Sequence, residues 1–203
     1  MIPILFDENT TDFDTFGIGA LKDTISCEVT EERNGEYECI FKYPVNSFMF
    51  TEIQNGKIIK VKASDKPNLQ LFRIYRISTV LDGVITVYAQ HISYDLLGIA
   101  TSPMRNAPTS PALALSQTLD KSATSHNFNS YTDLTESRNF GIETPKSIRS
   151  ALGSDDSVLA IYGGEFEWDN FTVKLHLARG IDTGVTIEYG KNLTDMEVNA
   201  DST

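Results

Sequence analysis

Two dipeptides constrain this chain more than any other feature: Asn34-Gly35 and Asp82-Gly83. Runs rich in β-formers flank both, DTISCEVT and YECIFKYPV around the first, QLFRIYRISTVL and VITVYAQHI around the second. Asn-Gly and Asp-Gly supply the consecutive positive-φ residues of a type I′ turn, whose twist matches that of paired strands. The spacing predicts two β-hairpins, with GKIIKVKA as a further strand and SFMFTEIQ as one helical turn before it. Apolar side chains fall on both faces of these hairpins, Ile77 and Tyr88 on one side, Val80 and Val87 on the other. Two half-buried faces point to a barrel or a covered sheet rather than an open solvated one.

The first turn also places the two cysteines. With Asn34 and Gly35 as its central residues, Arg33 faces Glu36, Thr30 faces Cys39 and Cys27 faces Lys42. Side chains alternate along a strand, so the thiols fall on opposite faces and no disulfide is expected. Unpaired thiols suit a reducing compartment.

A composition break at GIATSPMRNAPTSP sets a domain boundary near residue 101. Residues 1–100 read as a β-barrel-like domain and 101–203 as a smaller α+β domain; the fold class is α+β and β-rich. In the second part Ser110-Pro111 caps and opens a helix, PALALSQTLDKSA. SHNFNSYTDLTESRNFGIE has no clear period. Thr144-Pro145 opens a short helix, PKSIRSALG, which Gly153 is expected to end in a left-handed conformation. VLAIYGGEFEW, FTVKLHLA and VTIEYG read as strands. The opening MIPILF lacks a basic flank and a long apolar core, so no signal peptide is expected, and no run approaches the ~18 apolar residues of a membrane span. NLTDMEVNADST closes without a cap, which reads as a fragment of a longer polypeptide.

The net charge of −11 argues against a surface that grips phosphates, since such affinity is built from Lys and Arg. Arg73, Arg76, Lys57, Lys60 and Lys62 sit among strands without a recurring aromatic partner. Glu165, Glu167 and Asp169 occupy alternate positions of a strand and share a face. If Asp169 and Asn170 form the turn, Glu165 faces Lys174 and Glu167 faces Thr172, the wet side of a hairpin. Glycoside hydrolysis needs two carboxylates separated across a cleft by ~5 Å or more, which neighbours on one strand do not provide. His91, His126 and His176 follow no metal-ligand spacing. His91 pairs with Ile74 in the second hairpin, and Ser93, His91 and Asp95 lie too close in sequence for the crossed geometry of a triad. GSDDS at 153–157 lacks the calcium-loop pattern and reads as a loop between helix and strand. No catalytic, cofactor-binding or metal-binding residue is assigned, and no cofactor.

Several phrases, in order, carry a resemblance: EERNGEYECIFKYPV, GKIIKVKASDK, LFRIYRI, ITVYAQHISYDLL and SIRSALGSDDSVLAIYGGEFEWDNFTVKLHLARGIDTGVTIEYGKNLTD. Together they resemble the N-terminal hub region of siphophage tail-associated (Tal, or prophage tail) minor structural proteins, over roughly 25–100 and 145–198. The resemblance implies a phage tail hub-like fold and a homotrimeric ring at the virion tail tip, assembled in the host bacterial cytoplasm. Its implied partners are the distal tail protein, the tape measure protein and DNA passing through the channel without specific binding, with no membrane span. It implies that the known core continues beyond this chain and that any hydrolase activity lies in a C-terminal extension. The strands GKIIKVKA and ISCEVT are then the natural edges for subunit contact. The rival readings are a cell-wall hydrolase or endopeptidase acting through the acids around Glu165, and a sugar-binding module stacking through Trp168 and Tyr162.

Overall fold

The computed structural model describes residues 1–63, 68–180, 184 and 186. Seven strands fill the first part: β1 (Ile4–Phe6), β2 (Gly19–Ala20), β3 (Ser26–Glu31), β4 (Tyr37–Pro44), β5 (Ile58–Lys62), β6 (Leu69–Ile77) and β7 (Val84–His91). They form one antiparallel sheet in the order β2-β1-β5-β6-β7-β4-β3, curled into a half-barrel. The barrel-like expectation thus takes the form of an open sheet with β2 and β3 at its edges. GKIIKVKA is not an edge, because β5 is hydrogen-bonded on both sides, to β1 and β6.

Alternation explains which face is buried. In β4, Tyr37, Cys39, Phe41 and Tyr43 point inward, and in β7, Ile85, Val87, Ala89 and His91 do the same. The opposite face of β4 keeps Ile40 and Lys42 exposed, so two-sided burial does not hold there. It does hold at β5 and β6, where Ile59 and Phe72 join the main core. Ile58 and Leu71 pack instead with Phe6 and Ile92 in a second cluster, against Phe13 and Phe171.

The composition break is structured. It contains β8 (Ala100–Thr101) and β9 (Met104–Thr109), and Pro108 is tolerated because, among the described residues, β9 has a partner on one side alone, β11. Helix α1 (Pro111–Asp120) starts where the sequence predicts, with Ser110 accepting a hydrogen bond from Leu113 N at 3.3 Å. The aperiodic stretch after it holds β10 (Asn129–Thr132) and β11 (Arg138–Ile142). The strand β12 (Lys146–Ser147) leads into α2 (Ile148–Gly153), which begins three residues after Pro145 because Ser147 caps it through Ser150 N. Gly153 ends α2 without a left-handed turn; Asp156 takes the positive φ instead.

The segment Val158–Tyr162, expected as strand, is helix α3, with Ser157 as its cap. An apolar run this short is compatible with either state. The strands β13 (Glu165–Asp169) and β14 (Thr172–His176) come next as a hairpin, with β10 parallel to β14. Apart from Thr186, VTIEYG lies outside the described residues. One apolar cluster runs from Leu5, Phe41 and Phe72 of the sheet to Leu115, Leu152 and Trp168 of the second part. Among the described residues no helix is long and apolar enough to cross a membrane.

Candidate functional site

Of the polar groups singled out by the sequence, Glu165, Glu167, Asp169 and His91 come together where hairpin β13–β14 meets the half-barrel. Gly164 sets the approach. Its φ is +96°, and a Cβ there would lie 2.4 Å from the His176 carbonyl oxygen, so only glycine lets β13 start this close to β14. The turn residues are Asn170 and Phe171, one position later than expected, and pairing becomes Glu165 with His176, Glu167 with Lys174 and Asp169 with Thr172. The acids keep their common face.

Each carboxylate has cationic company. Glu165 binds Arg33 at 3.0 Å and the Arg179 backbone N–H at 3.0 Å. Lys174 lies 2.7 Å from Asp169 and 3.7 Å from Glu167. The backbone N–H of Arg179, with Arg33 beside it, holds Glu165 below the usual carboxylate range. Burial works to raise Asp169, but hydrogen bonds from Lys174 and Gln70 outweigh it and hold the group low. A general acid needs the opposite shift. Glu165 and Asp169 are held ionised, and with Glu167 they form an ion-pair ladder that fastens β13 to β14 and to the β3–β4 turn.

His91 is fully buried, its ring stacked on Tyr37 with centroids 4.5 Å apart. Its Nδ1 lies 2.9 Å from Ser93 Oγ and its Nε2 lies 3.2 Å from Gln70 Oε1. Arg149 donates to Ser93 Oγ at 2.5 Å, so the serine proton goes to Nδ1 and the imidazole carries its own proton on Nε2. Gln70 then donates to Asp169 at 3.1 Å. The result is a chain of hydrogen bonds from Arg149 through Ser93, His91 and Gln70 to Asp169. Burial, with the Arg149 charge nearby, pushes His91 down to about 3, so it is neutral at pH 7. It faces Phe72 rather than Ile74, because β6 carries extra residues against β7.

Asp95 takes no part in this chain. Its carboxylate is held by Arg73 at 2.8 and 2.7 Å, so Ser93, His91 and Asp95 form no triad. His126 bonds the Leu119 carbonyl at 3.1 Å, and His176 Nδ1 meets Asp133 at 3.1 Å. Among the described residues no group of metal-ligating side chains gathers. GSDDS is a loop between two helices, closed by the Ser157 cap. Lys57 pairs with Glu52 at 2.9 Å, Lys60 bonds the Phe13 carbonyl at 2.7 Å, Arg76 covers the Tyr88 ring, and Lys62 ends β5 exposed. Trp168 and Tyr162 are core residues. The indole covers the Arg149 guanidinium, and the phenol donates to the Thr109 carbonyl at 2.8 Å.

Residues 4–91, which take in all seven strands of the half-barrel, match the family described as the prophage endopeptidase tail N-terminal domain. The sheet is thus similar to a prophage tail domain. The chain as a whole has the fold of prophage tail protein gp18 from Listeria monocytogenes EGD-e. The two superpose with a TM-score of 0.60 at 19% identity, over 95% of this chain and 56% of that one. The chain therefore spans about half the length of that protein. Among curated proteins none matches the sequence.

Sequence reasoning missed the residues that join the half-barrel to the second part of the chain: Asn34, Gln70, Arg149 and Asn170. Asn170 accepts from Leu71 N at 2.8 Å and donates to Leu69 O at 3.0 Å. Asn34 does the same for β13, accepting from Phe166 N at 2.7 Å and donating to Gly164 O at 3.1 Å. Their sequence signal was a turn with positive φ. Nothing in it showed that the amides would also pair with a distant backbone.

Proposed function

We propose that this chain is a structural piece of a phage tail tip, the hub region of a homotrimeric ring. The ring joins the distal tail protein and encloses the channel for tape measure and DNA. The observation that carries the reading is the match of residues 4–91 to a prophage tail domain. The open edge supports it. Among the described residues β3 has a partner on one side alone, and Ile25 before it, with Val80 and Leu81 of the β6–β7 turn, are 59%, 54% and 74% exposed around a cavity of about 550 Å³. An edge with that much apolar surface is an aggregation risk unless another subunit covers it. The net charge of −11 suits a wall past which a polyanion slides without being held.

In this reading Glu165, Glu167 and Asp169 serve the fold, and a hydrolase, where one exists, occupies a further segment of a longer polypeptide. The experiment is gold labelling of an epitope-tagged full-length protein in particles from an induced lysogen. Label at the tail end away from the capsid, with three copies per particle, is expected; particles without label overturn the proposal. Incubation with purified cell walls addresses the rival: soluble fragments released by this chain and abolished by Glu165→Gln would reverse the assignment.

A further inference from the structure

The thiols of Cys27 and Cys39 do not lie on opposite faces. The β3–β4 loop is Arg33-Asn34-Gly35, closed by the Glu32 N–H to Glu36 carbonyl bond at 2.7 Å, and Asn34 alone of the Asn-Gly pair has positive φ. One residue more in the loop shifts the pairing by one, so Cys39 faces Val29 and Phe41 faces Cys27. Cys27 and Cys39 are then diagonal neighbours on the inner face, with sulfurs 3.7 Å apart, and both are free. Cys39 is wholly buried and Cys27 is half-buried on the edge strand.

We propose that Cys27 and Cys39 are a reversible disulfide pair, oxidised by exchange with a low-molecular-weight disulfide. The bond needs the sulfurs to close from 3.7 Å to about 2.05 Å. Among the described residues β3 is bonded to the sheet on one side alone, so it is the strand that shifts to close the gap. The two sulfurs have different roles. Hydrogen bonding from Cys39 draws the Cys27 thiol below its ordinary range, while the same bond and burial push Cys39 up. Cys27, the more accessible sulfur, attacks first as thiolate. Its attack breaks the S–S bond of the oxidant, and one small thiolate leaves and takes up a proton. Cys39 then gives its proton to solvent and attacks Cys27 Sγ, and the second small thiolate leaves and is protonated. The protein loses two electrons and two protons; the oxidant becomes two thiols. The product ties the exposed edge of the half-barrel to β4. Resting on the tail reading, this change belongs to the passage of the particle from a reducing cytosol to an oxidising exterior; the exchange chemistry itself does not depend on that reading.

The test is equilibration of the folded chain in glutathione buffers of rising oxidised fraction, with acid quench, alkylation and intact mass as the readout. Expected are two alkylated cysteines at the reducing end and none at the oxidising end, with a loss of about 2 Da and a thermal midpoint raised by about 5 °C. Cys39→Ser is expected to stop at a mixed disulfide on Cys27. Two alkylated thiols at every ratio, or wild-type protein that stops at the mixed disulfide, would overturn the proposal. So would a product linked between chains.

Discussion

Hairpins β3–β4 and β13–β14 look alike in sequence and behave differently. In both, the turn dipeptide reads as the two-residue centre of a tight turn, and in both the observed loop differs from that reading. At β13–β14 the turn moves along by one position, which changes each pairing by two, so the acids stay together on one face, with Lys174 now opposite Glu167. At β3–β4 the loop gains one residue, which changes each pairing by one and carries Cys27 to the face of Cys39. An even slip exchanges neighbours; an odd slip exchanges faces. Between β6 and β7 two odd slips occur in succession, and parity is restored at Phe72 and His91.

What the two hairpins share is an asparagine in the left-handed region whose amide reaches into the other half. Asn34 has φ +57° and Asn170 φ +50°. The comparison predicts that the more buried tip matters more. Asn170→Ala should cost about 3 kcal/mol in urea unfolding, from the strand amide and carbonyl left unpaired and from a non-glycine residue at positive φ. Asn170→Gly should recover the φ contribution and little else. If it restores full stability, the amide contacts contribute nothing.

The imidazole between the hairpins gives the next effect. The folded pKa of His91, about 3, lies below the unfolded value of about 6.5. Between those values the unfolded chain binds a proton that the folded chain refuses, so stability rises with pH and is lost on acidification. From pH 7 to pH 5 the loss should be about 2 kcal/mol. His91→Gln should flatten that part of the profile, whatever its own stability; an unchanged slope would show that the buried ring titrates normally.

Asn34 is exposed, so Asn34→Ala should cost less than Asn170→Ala, about 1–2 kcal/mol. Asn34→Asp should fall between, since it still accepts from Phe166 N but cannot donate to Gly164 O. Equal costs at Asn34 and Asn170 would erase the distinction between the tips. The smallest effect is expected from Glu165→Gln, which removes a solvent-screened pair with Arg33 and should leave the urea midpoint close to that of the parent chain.

Much of the fold was legible. The hairpins at Asn34-Gly35 and Asp82-Gly83, the Ser110-Pro111 helix start and the wet face at Glu165 are all local signals, read within a few residues. The resemblance to tail proteins likewise came from ordered phrases and is matched over residues 4–91. Less legible were β9, where Pro108 disguised an edge strand, and α3, where VLAIY fits either state.

Sequence alone determined where this chain turns and which residues prefer strands, because φ preference and alternation act between near neighbours. Only the tertiary structure decided register, the meeting of Cys27 with Cys39, and the run of hydrogen bonds from Arg149 to Asp169. Register depends on counting residues through a loop whose length is fixed by what the tip docks against. At Asn34 that partner is β13, about 130 residues along the chain.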